Sequence, residues 1–387
     1  MYSISRFQQV LKAVPQGAFD KIVQAHGGDR YVKRFRCRDQ LVAMLYVQLA
    51  GAQSLRELEA GFNPQARHHY HLATGRVARS TLSDANEKRN PLIFADLLKL
   101  LIEQAGRALR HERQELLYVL DATTVPLPPR CSQELHGHAS ARGNHGMKLH
   151  VQFEAGSAAV EGASITKAAV NDITEGRKLP IEAGVTYVFD KGYCNYNWWH
   201  SIDQKGAIFV TRFKRDAALK FVRERRASKS QGILRDSVVA FALRTPRGGH
   251  RNSYSTSLRR IEVDRPDAAP LVLATNDLAS PAEEIALVYK RRWAIELLFK
   301  WVKQHLQIRR FVGRNENAMR IQLLTALIAY MLVLLLRKTS RFQGTLWMLL
   351  AQLRHSLFQR PRTDESYWRR RRAMRERIAA AQPSLFT

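Results

Sequence analysis

Apolar residues in this chain recur with three different rhythms. From Cys37 to Leu49 they follow helical spacing. Gly51 interrupts them, and "SLRELEAGF" starts again behind Ser54, a residue type that caps helices by accepting a backbone N–H. A loop is predicted next, with Asn63, Pro64 and the histidines His68, His69 and His71, after which Ser80 is placed to cap "TLSDANEKRN". Residues 1–110 therefore read as a helical domain. A short helix, a turn and a polar helix bearing Ser83, Asn86, Lys88 and Arg89 have the layout of a helix laid in a DNA groove, and an ordinary solvated helix has the same pattern. The histidines have no cysteine near them and read as surface or phosphate-contacting groups rather than metal ligands.

At residue 116 the rhythm shortens. "LLYVLD" (116–121), "MKLHVQFE" (147–154), "ASITKAAV" (163–170), "TYVFD" (186–190) and "AIFVTRFK" (207–214) read as strands, with "NYNWWHSIDQKG" (195–206) as a helix between the last two. Three strands in succession, then a crossover, a strand, a helix and a strand, predict a mixed α/β sheet. Between 214 and 280, "SVVAFAL", "LRRIEV" and "LVLAT" alternate like strands, with turns marked by Pro246 and Gly248-Gly249. This stretch holds 14 Lys plus Arg against 7 Asp plus Glu and reads as a basic, β-rich insertion.

The third rhythm is helical again. Ser280-Pro281-Ala282-Glu283 offers a capping serine, a proline at the first helical position and a glutamate three after the cap, so a helix is predicted from there to about residue 306. Within it "YKRRWAIELLFKWVK" is greasy except along one stripe. At about 100° per residue, with Tyr289 at zero, Arg292 falls at about −60°, Glu296 at about −20° and Lys303 at about −40°. An unpaired buried carboxylate is costly, so this stripe must face something polar. Either Arg292 and Lys303 neutralise Glu296 within the fold, or the stripe lines a cleft. Further on, the apolar run from Leu323 to Leu336 is 14 residues, short for a membrane span and ordinary for a buried helix.

Composition narrows the partners. The chain has 387 residues, enough for two or three domains with cores, and its 45% apolar content is that of a globular protein. Lys plus Arg number 62 against 34 Asp plus Glu, a formal charge of +28, which attracts polyanions: nucleic acid first, an anionic membrane as the rival. The first residues lack a signal peptide's apolar segment, and Cys37, Cys131 and Cys194 are widely spaced with no CxxC. A reducing cytoplasm and no disulfide framework are expected.

Two predicted strands end on aspartate, Asp121 and Asp190, and sites in mixed α/β sheets gather at strand ends. If these strands are neighbours, as in the ribonuclease H topology, their carboxylates converge, and a helix packed on the sheet can bring Glu296 to them. Three carboxylates about one point repel unless a cation lies between them. Oxygen ligands suit Mg²⁺ or Mn²⁺, and a pair of such ions suits phosphodiester chemistry. Glu154 lies at a strand end without a companion motif, and Asp172 and Glu175 sit in a loop-like stretch with Gly176. Cys131, His136 and His138 would need a second cysteine pair to make a zinc site, and "HGHASARGNHGMK" (136–148) reads instead as a basic loop beside the active centre. Trp198 and Trp199 read as packing, and "SYWRRRRAMRER" (366–377) as a DNA- or partner-binding tail.

Tyr289, two residues, Arg292, three residues, Glu296, six residues, Lys303: at every gap this resembles the Y-R-E-K signature of bacterial DDE transposases of the insertion-sequence-four family. Asp190-Lys191-Gly192-Tyr193 is similar to the block around that family's second aspartate, and Asp121-Ala122-Thr123 to the block around the first. The resemblance implies a transposase of an insertion sequence. Asp121, Asp190 and Glu296 would be its catalytic metal ligands, holding Mg²⁺ or Mn²⁺, two per site. Tyr289, Arg292 and Lys303, assisted by Lys300, would contact phosphates of the element's end. It further implies cut-and-paste transposition on double-stranded DNA, with a hairpin intermediate in some relatives, by a homodimer without a membrane. The layout would be a helical DNA-binding domain (1–110), a ribonuclease H-like core in two parts (111–213 and 281–350) interrupted by the β-rich insertion (214–280), and a basic tail (351–387). A ribonuclease H-like nuclease or resolvase without strand transfer, and an inactive DNA-binding derivative of a transposase, share parts of the same pattern.

Overall fold

The computed structural model describes residues 4–109, 116–127, 146–242, 251–266, 268–361 and 373–374. Cys131, His136 and His138, the turn residues Pro246 and Gly248-Gly249, and residues 362–372 and 375–387 of the basic tail lie outside the described residues.

The chain begins with helices: α1 (Arg6–Leu11), α2 (Gln16–Ala25), α3 (Cys37–Tyr46), α4 (Leu55–Phe62), α5 (Ala66–Leu72), α6 (Arg79–Lys88) and α7 (Leu92–Ala108). Ser54 caps α4 by accepting the N–H of Glu57 at 3.2 Å. The expected loop after Asn63 is helical instead. A single 3₁₀ turn leads into α5, because His69 belongs to the core: its ring stacks on Phe62 with centroids 4.5 Å apart and Nε2 bonds the Phe62 carbonyl. Ser80 does not cap α6, which starts at Arg79 behind Ala78. Two of the four polar residues singled out near α6 point inward. Asn86 is buried and accepts from Gln40 Nε2 at 2.8 Å, while Arg89 donates to Gln40 and to the Phe35 carbonyl. Ser83 and Lys88 remain exposed.

Among the described residues nine strands form one sheet, in the order β3-β2-β1-β4-β5-β9-β8-β7-β6. They are β1 (Leu117–Pro126), β2 (Gly146–Glu154), β3 (Ala159–Lys167), β4 (Thr186–Phe189), β5 (Ile208–Arg212), β6 (Leu219–Arg225), β7 (Ile233–Phe241), β8 (Leu258–Val263) and β9 (Leu271–Thr275). The first three pair antiparallel, and β1, β4 and β5 run parallel, which is the ribonuclease H arrangement and the mixed α/β class the pattern predicted. The insertion extends that same sheet, since β9 pairs antiparallel with β5, Val210 opposite Thr275. β6 escaped the sequence reading for a physical reason. It is an edge strand exposed along its middle, so its residues carry no inside–outside alternation. Two short helices complete this part, α8 (Asp172–Gly176) and α9 (Tyr196–Gln204). Trp198 and Trp199 on α9 are buried against Phe189 and Phe209.

The helix predicted from 280 to 306 is two helices, α10 (Ala282–Lys290) and α11 (Trp293–His305). Between them the N–H groups of Arg292, Ala294 and Ile295 bond carbonyls three residues back rather than four, and this tightening turns the chain. Ser280 does not cap α10. Its N–H is taken by the Asp277 carboxylate at 2.9 Å, and Pro281 stands at the cap in extended conformation.

Beyond lie α12 (Glu316–Thr339) and α13 (Leu346–Ser356). α12 runs 24 residues, so the shortness of its apolar run is no argument: by length and composition it is long enough to cross a membrane. What places it is burial. Its most apolar window is 94% buried, packed against α3, α6, α7 and β3. Gln322, fully buried on this helix, donates to the Arg310 carbonyl at 2.8 Å and accepts the Val312 N–H at 2.9 Å, while Gln48 accepts the Gln307 N–H at 2.8 Å. These bonds pin the segment after α11, and with it one wall of the cleft described next, to the helical part.

Candidate active site

The parallel ladder of β1 and β4 sets Leu120 opposite Phe189 and ends there. The next residue on each strand is an aspartate, so Asp121 and Asp190 emerge side by side at one edge of the ladder. Asp121 is not the last residue of its strand, as the sequence suggested: β1 continues to Pro126 along β2 alone. α11 packs on β1 and carries Glu296 in its first turn to the same place. A cleft of 480 Å³ opens here, lined by Asp121, Asp190, Arg292, Glu296, Lys300, Lys303 and Arg309, among others. Six of the seven site residues anticipated from sequence thus meet on one surface. Tyr289 lies beneath it, buried, with the Arg292 guanidinium 5.9 Å from its ring centre and Arg212 and Asp190 nearby. Burial pushes its phenol pKa upward.

The acids are held by arginines. Arg292 Nη2 bonds Glu296 Oε1 at 2.5 Å, and Nη1 lies 3.7 Å from Asp121 Oδ2. Arg212 donates to Asp190 Oδ1 from Nε at 2.9 Å and also from Nη2. Arg292 therefore does neutralise Glu296, as one of the two sequence readings had it. Lys303 makes no such pair with Glu296 and faces the cleft with Arg309 near it. Burial, reinforced by Arg309, lowers the Lys303 pKa, with Asp121 pulling the other way.

The two aspartates differ. Burial pulls the Asp190 carboxyl up, but Arg212, the Lys191 N–H and Arg292 outweigh it and leave it below the usual range. At Asp121 burial wins over the Ala122 N–H and Arg292, with Asp190 and Asp172 adding to it, and the carboxyl is pushed up to about 6. Asp121 is thus short of positive charge. Among the described residues no three His, Cys, Asp or Glu side chains stand close enough to share an ion as they are placed. The donor set nonetheless fits a hard divalent cation: it is all carboxylate oxygen, on one cleft, with one member under-compensated.

A pH dependence follows. Between the ordinary value of 3.8 and about 6, folded Asp121 keeps a proton that the unfolded chain has lost, so stability falls as pH rises through that window. At ~1.4 kcal/mol per pH unit the loss reaches ~3 kcal/mol. Asp121→Asn removes it. In urea unfolding with a chelator present, the Asn variant should match the parent at pH 4 and exceed it at pH 7; parallel profiles would refute this.

Sequence reasoning overlooked Arg212 and Arg309, and it set Asp172 aside. Arg212 carried a usable signal as the last residue of the strand after Asp190. Asp172, dismissed as part of a loop, begins α8. Its Oδ1 is 3.0 Å from Lys148 Nζ, and its Oδ2 would lie 3.3 Å from a Cβ at Gly192, so a side chain there would press on it.

Comparison with known proteins gives consistent results. Residues 112–332 match the family described as transposase DDE domain, and residues 3–74 match a domain of unknown function, DUF4372. A protein of Sinorhizobium fredii named transposase y4zB is 42% identical over 265 residues, covering 67% of this chain and 72% of that one. A Synechocystis transposase for insertion sequence element IS4SA is 28% identical, covering 66% and 71%. A Geobacillus stearothermophilus transposase for insertion sequence element IS5377 is 28% identical, covering 62% of each chain. Among solved structures, the cryo-EM structure of the piggyBac transposase synaptic complex with hairpin DNA aligns over 97% of this chain and 83% of that one, with 10% identity and a TM-score of 0.42.

Proposed function

This chain belongs to the transposase DDE domain family, and on that premise we propose that the cleft above is where a DNA backbone is cut and rejoined. It is an insertion-sequence transposase, of a family that works with divalent cations. Asp121, Asp190 and Glu296 hold the metal, which is Mg²⁺ or Mn²⁺, two ions per site. A divalent cation bound there polarises a phosphodiester oxygen and offsets the charge that develops on it. The substrates are the double-stranded ends of the element and then a target duplex, engaged by a homodimer in the cytoplasm, with the helical residues 1–110 holding the ends. The observation that supports this reading is the convergence itself: three chain segments far apart in sequence deliver three acids and four cations to one cleft.

The chain's own groups have separable tasks. Lys300, Lys303 and Arg309 form a cationic wall against which phosphates can lie, and their charge is not used up on the acids. Arg292 stands between that wall and Glu296, so it serves both the carboxylate and the backbone. Tyr289 supports it from below, its ring packed under the guanidinium, and so acts on phosphates through Arg292.

Purified full-length protein, incubated with the element's inverted repeats, Mg²⁺ and a target plasmid, tests the assignment. Joined products are expected. Cleavage with no joining would favour the nuclease or resolvase, and binding alone the inactive derivative. Phosphate contact has its own measurement. Lys303→Ala and Arg292→Ala should each lower the slope of log affinity against log salt by roughly one unit. The Arg292–Glu296 pair is half-open, with side chains 18% and 33% exposed, so losing it should cost only about 1 kcal/mol. A large fall in melting temperature with an unchanged salt slope would reduce Arg292 to an internal counter-ion.

A further inference from the structure

We propose that Arg212 is a positioning residue for this site: it is the resident counter-ion of Asp190 in the metal-free protein, and a divalent cation binds by displacing it. The inference rests on the metal site proposed above.

Sheet register puts Arg212 where it can do this. β4 and β5 run parallel with Thr186 opposite Ile208, Tyr187 opposite Phe209 and Val188 opposite Val210. Two residues further along each strand stand Asp190 and Arg212, on the same face. Arg212 directs both Nε and Nη2 at one oxygen, Asp190 Oδ1. An arginine that joins elements of a fold spreads its donors over several acceptors. Arg259 does so, bonding both Asp236 oxygens and the Ser280 carbonyl. Among the described residues Arg212 instead serves a single carboxylate, and both partners are partly open to solvent, 28% and 32% exposed. Its guanidinium can therefore leave for water without stranding a buried charge.

Without metal, three acids share two arginines: Arg292 stands beside Glu296 and Asp121, and Arg212 beside Asp190. That arrangement holds Asp190 by its Oδ1 at the edge of the ladder. A guanidinium and a divalent ion cannot both occupy the face of Oδ1, since the two positive charges repel at contact distance. Arg212 thus holds Asp190 in place and competes for it at the same time.

The measurement is Mn²⁺ affinity, followed by electron paramagnetic resonance on the full-length protein without DNA. Arg212→Gln should bind Mn²⁺ roughly tenfold more tightly than the parent, and Arg212→Lys, which keeps the charge with a single donor, should fall between them. The metal-free Gln variant should melt lower than the parent, and saturating Mn²⁺ should close that gap. A merely structural Arg212 predicts the same melting deficit with and without Mn²⁺ and equal affinities. Equal affinities across the series, or weaker binding by the Gln or Lys variant, would overturn the proposal. Asp190→Asn separates the premise from the inference: if it leaves Mn²⁺ binding unchanged, the metal site itself is misassigned.

Discussion

Asp190→Asn should lower strand cleavage by roughly 10³-fold while leaving binding to the element's ends nearly intact. The reason is the division of labour in the cleft. Asp190 and Asp121 leave one ladder edge side by side, and Glu296 joins them from α11, whereas the cations proposed to hold DNA, Lys300, Lys303 and Arg309, lie on α11 and just beyond it. An amide cannot supply the anionic oxygen that a divalent ion needs, but it leaves Lys300, Lys303 and Arg309 untouched. Asp121→Asn and Glu296→Gln should behave alike, because a site built from three acids fails when any one is neutralised. Cleavage on supercoiled donor DNA, read beside a gel shift with the same end, checks this. Near-normal cutting by any one of the three variants would remove that residue from the triad. Asp190→Asn also discharges Arg212's partner, so its metal-free melting temperature belongs with the kinetics: a stability loss with full activity would mean that Asp190 serves only the ion pair.

Among the described ion pairs Arg259 should be the costliest residue to replace, although it does not line the cleft. It and Asp236 are each 1% exposed and joined by two bonds of 2.8 and 2.6 Å, from Arg259 Nε and Nη2 to Asp236 Oδ1 and Oδ2. The remaining nitrogen reaches the carbonyls of Asp277 and Ser280, the turn that leads into α10. Arg259→Met leaves the buried Asp236 carboxylate with no hydrogen-bonded counter-ion, only Arg225 Nε at 3.5 Å, and should cost on the order of 3 kcal/mol. Because that turn also sets where α10 begins, and with it where Glu296 arrives, cleavage should fall more than DNA binding does. The double variant Arg259→Met with Asp236→Leu should recover most of the stability, since an apolar pair of similar volume needs no counter-charge and Arg225, the other partner of Asp236, is 24% exposed and can turn to water. Denaturant midpoints of the two single variants and the double variant decide the matter; additive losses would show that the two side chains are not coupled.

Much of the architecture was legible because it is local. Strands β1 to β5 announce themselves as short apolar runs, and α9 lies within the helix read over 195–206; its cap, Asn195 accepting the Trp198 N–H at 3.0 Å, was seen only in the structure. The misreadings have local causes too. Ser80 and Ser280 have the right identity for caps, but neither is used, since α6 begins one residue before Ser80 and Asp277 takes the N–H of Ser280. His69 looked polar and is core, because stacking on Phe62 and one backbone bond satisfy it. The predicted long helix broke where no proline or glycine warned of it, between Tyr289 and Trp293.

The candidate site divides along the same line. Spacing alone marked Tyr289, Arg292, Glu296 and Lys303 as one group and Asp121 and Asp190 as strand-associated acids, because a chain carries its residue types and periodicities whether folded or not. What spacing cannot carry is which strands lie side by side and which charges end up paired, since these depend on contacts between segments tens to hundreds of residues apart. Only the fold set β4 between β1 and β5, which brought Asp190 against Asp121 on one side and Arg212 on the other. Only the fold buried Tyr289, turned Arg292 onto Glu296, and left Lys303 facing the open cleft. The identities of the groups belong to the sequence. Their pairings, and hence their charge states and tasks, were decided by burial and by the register of neighbouring strands.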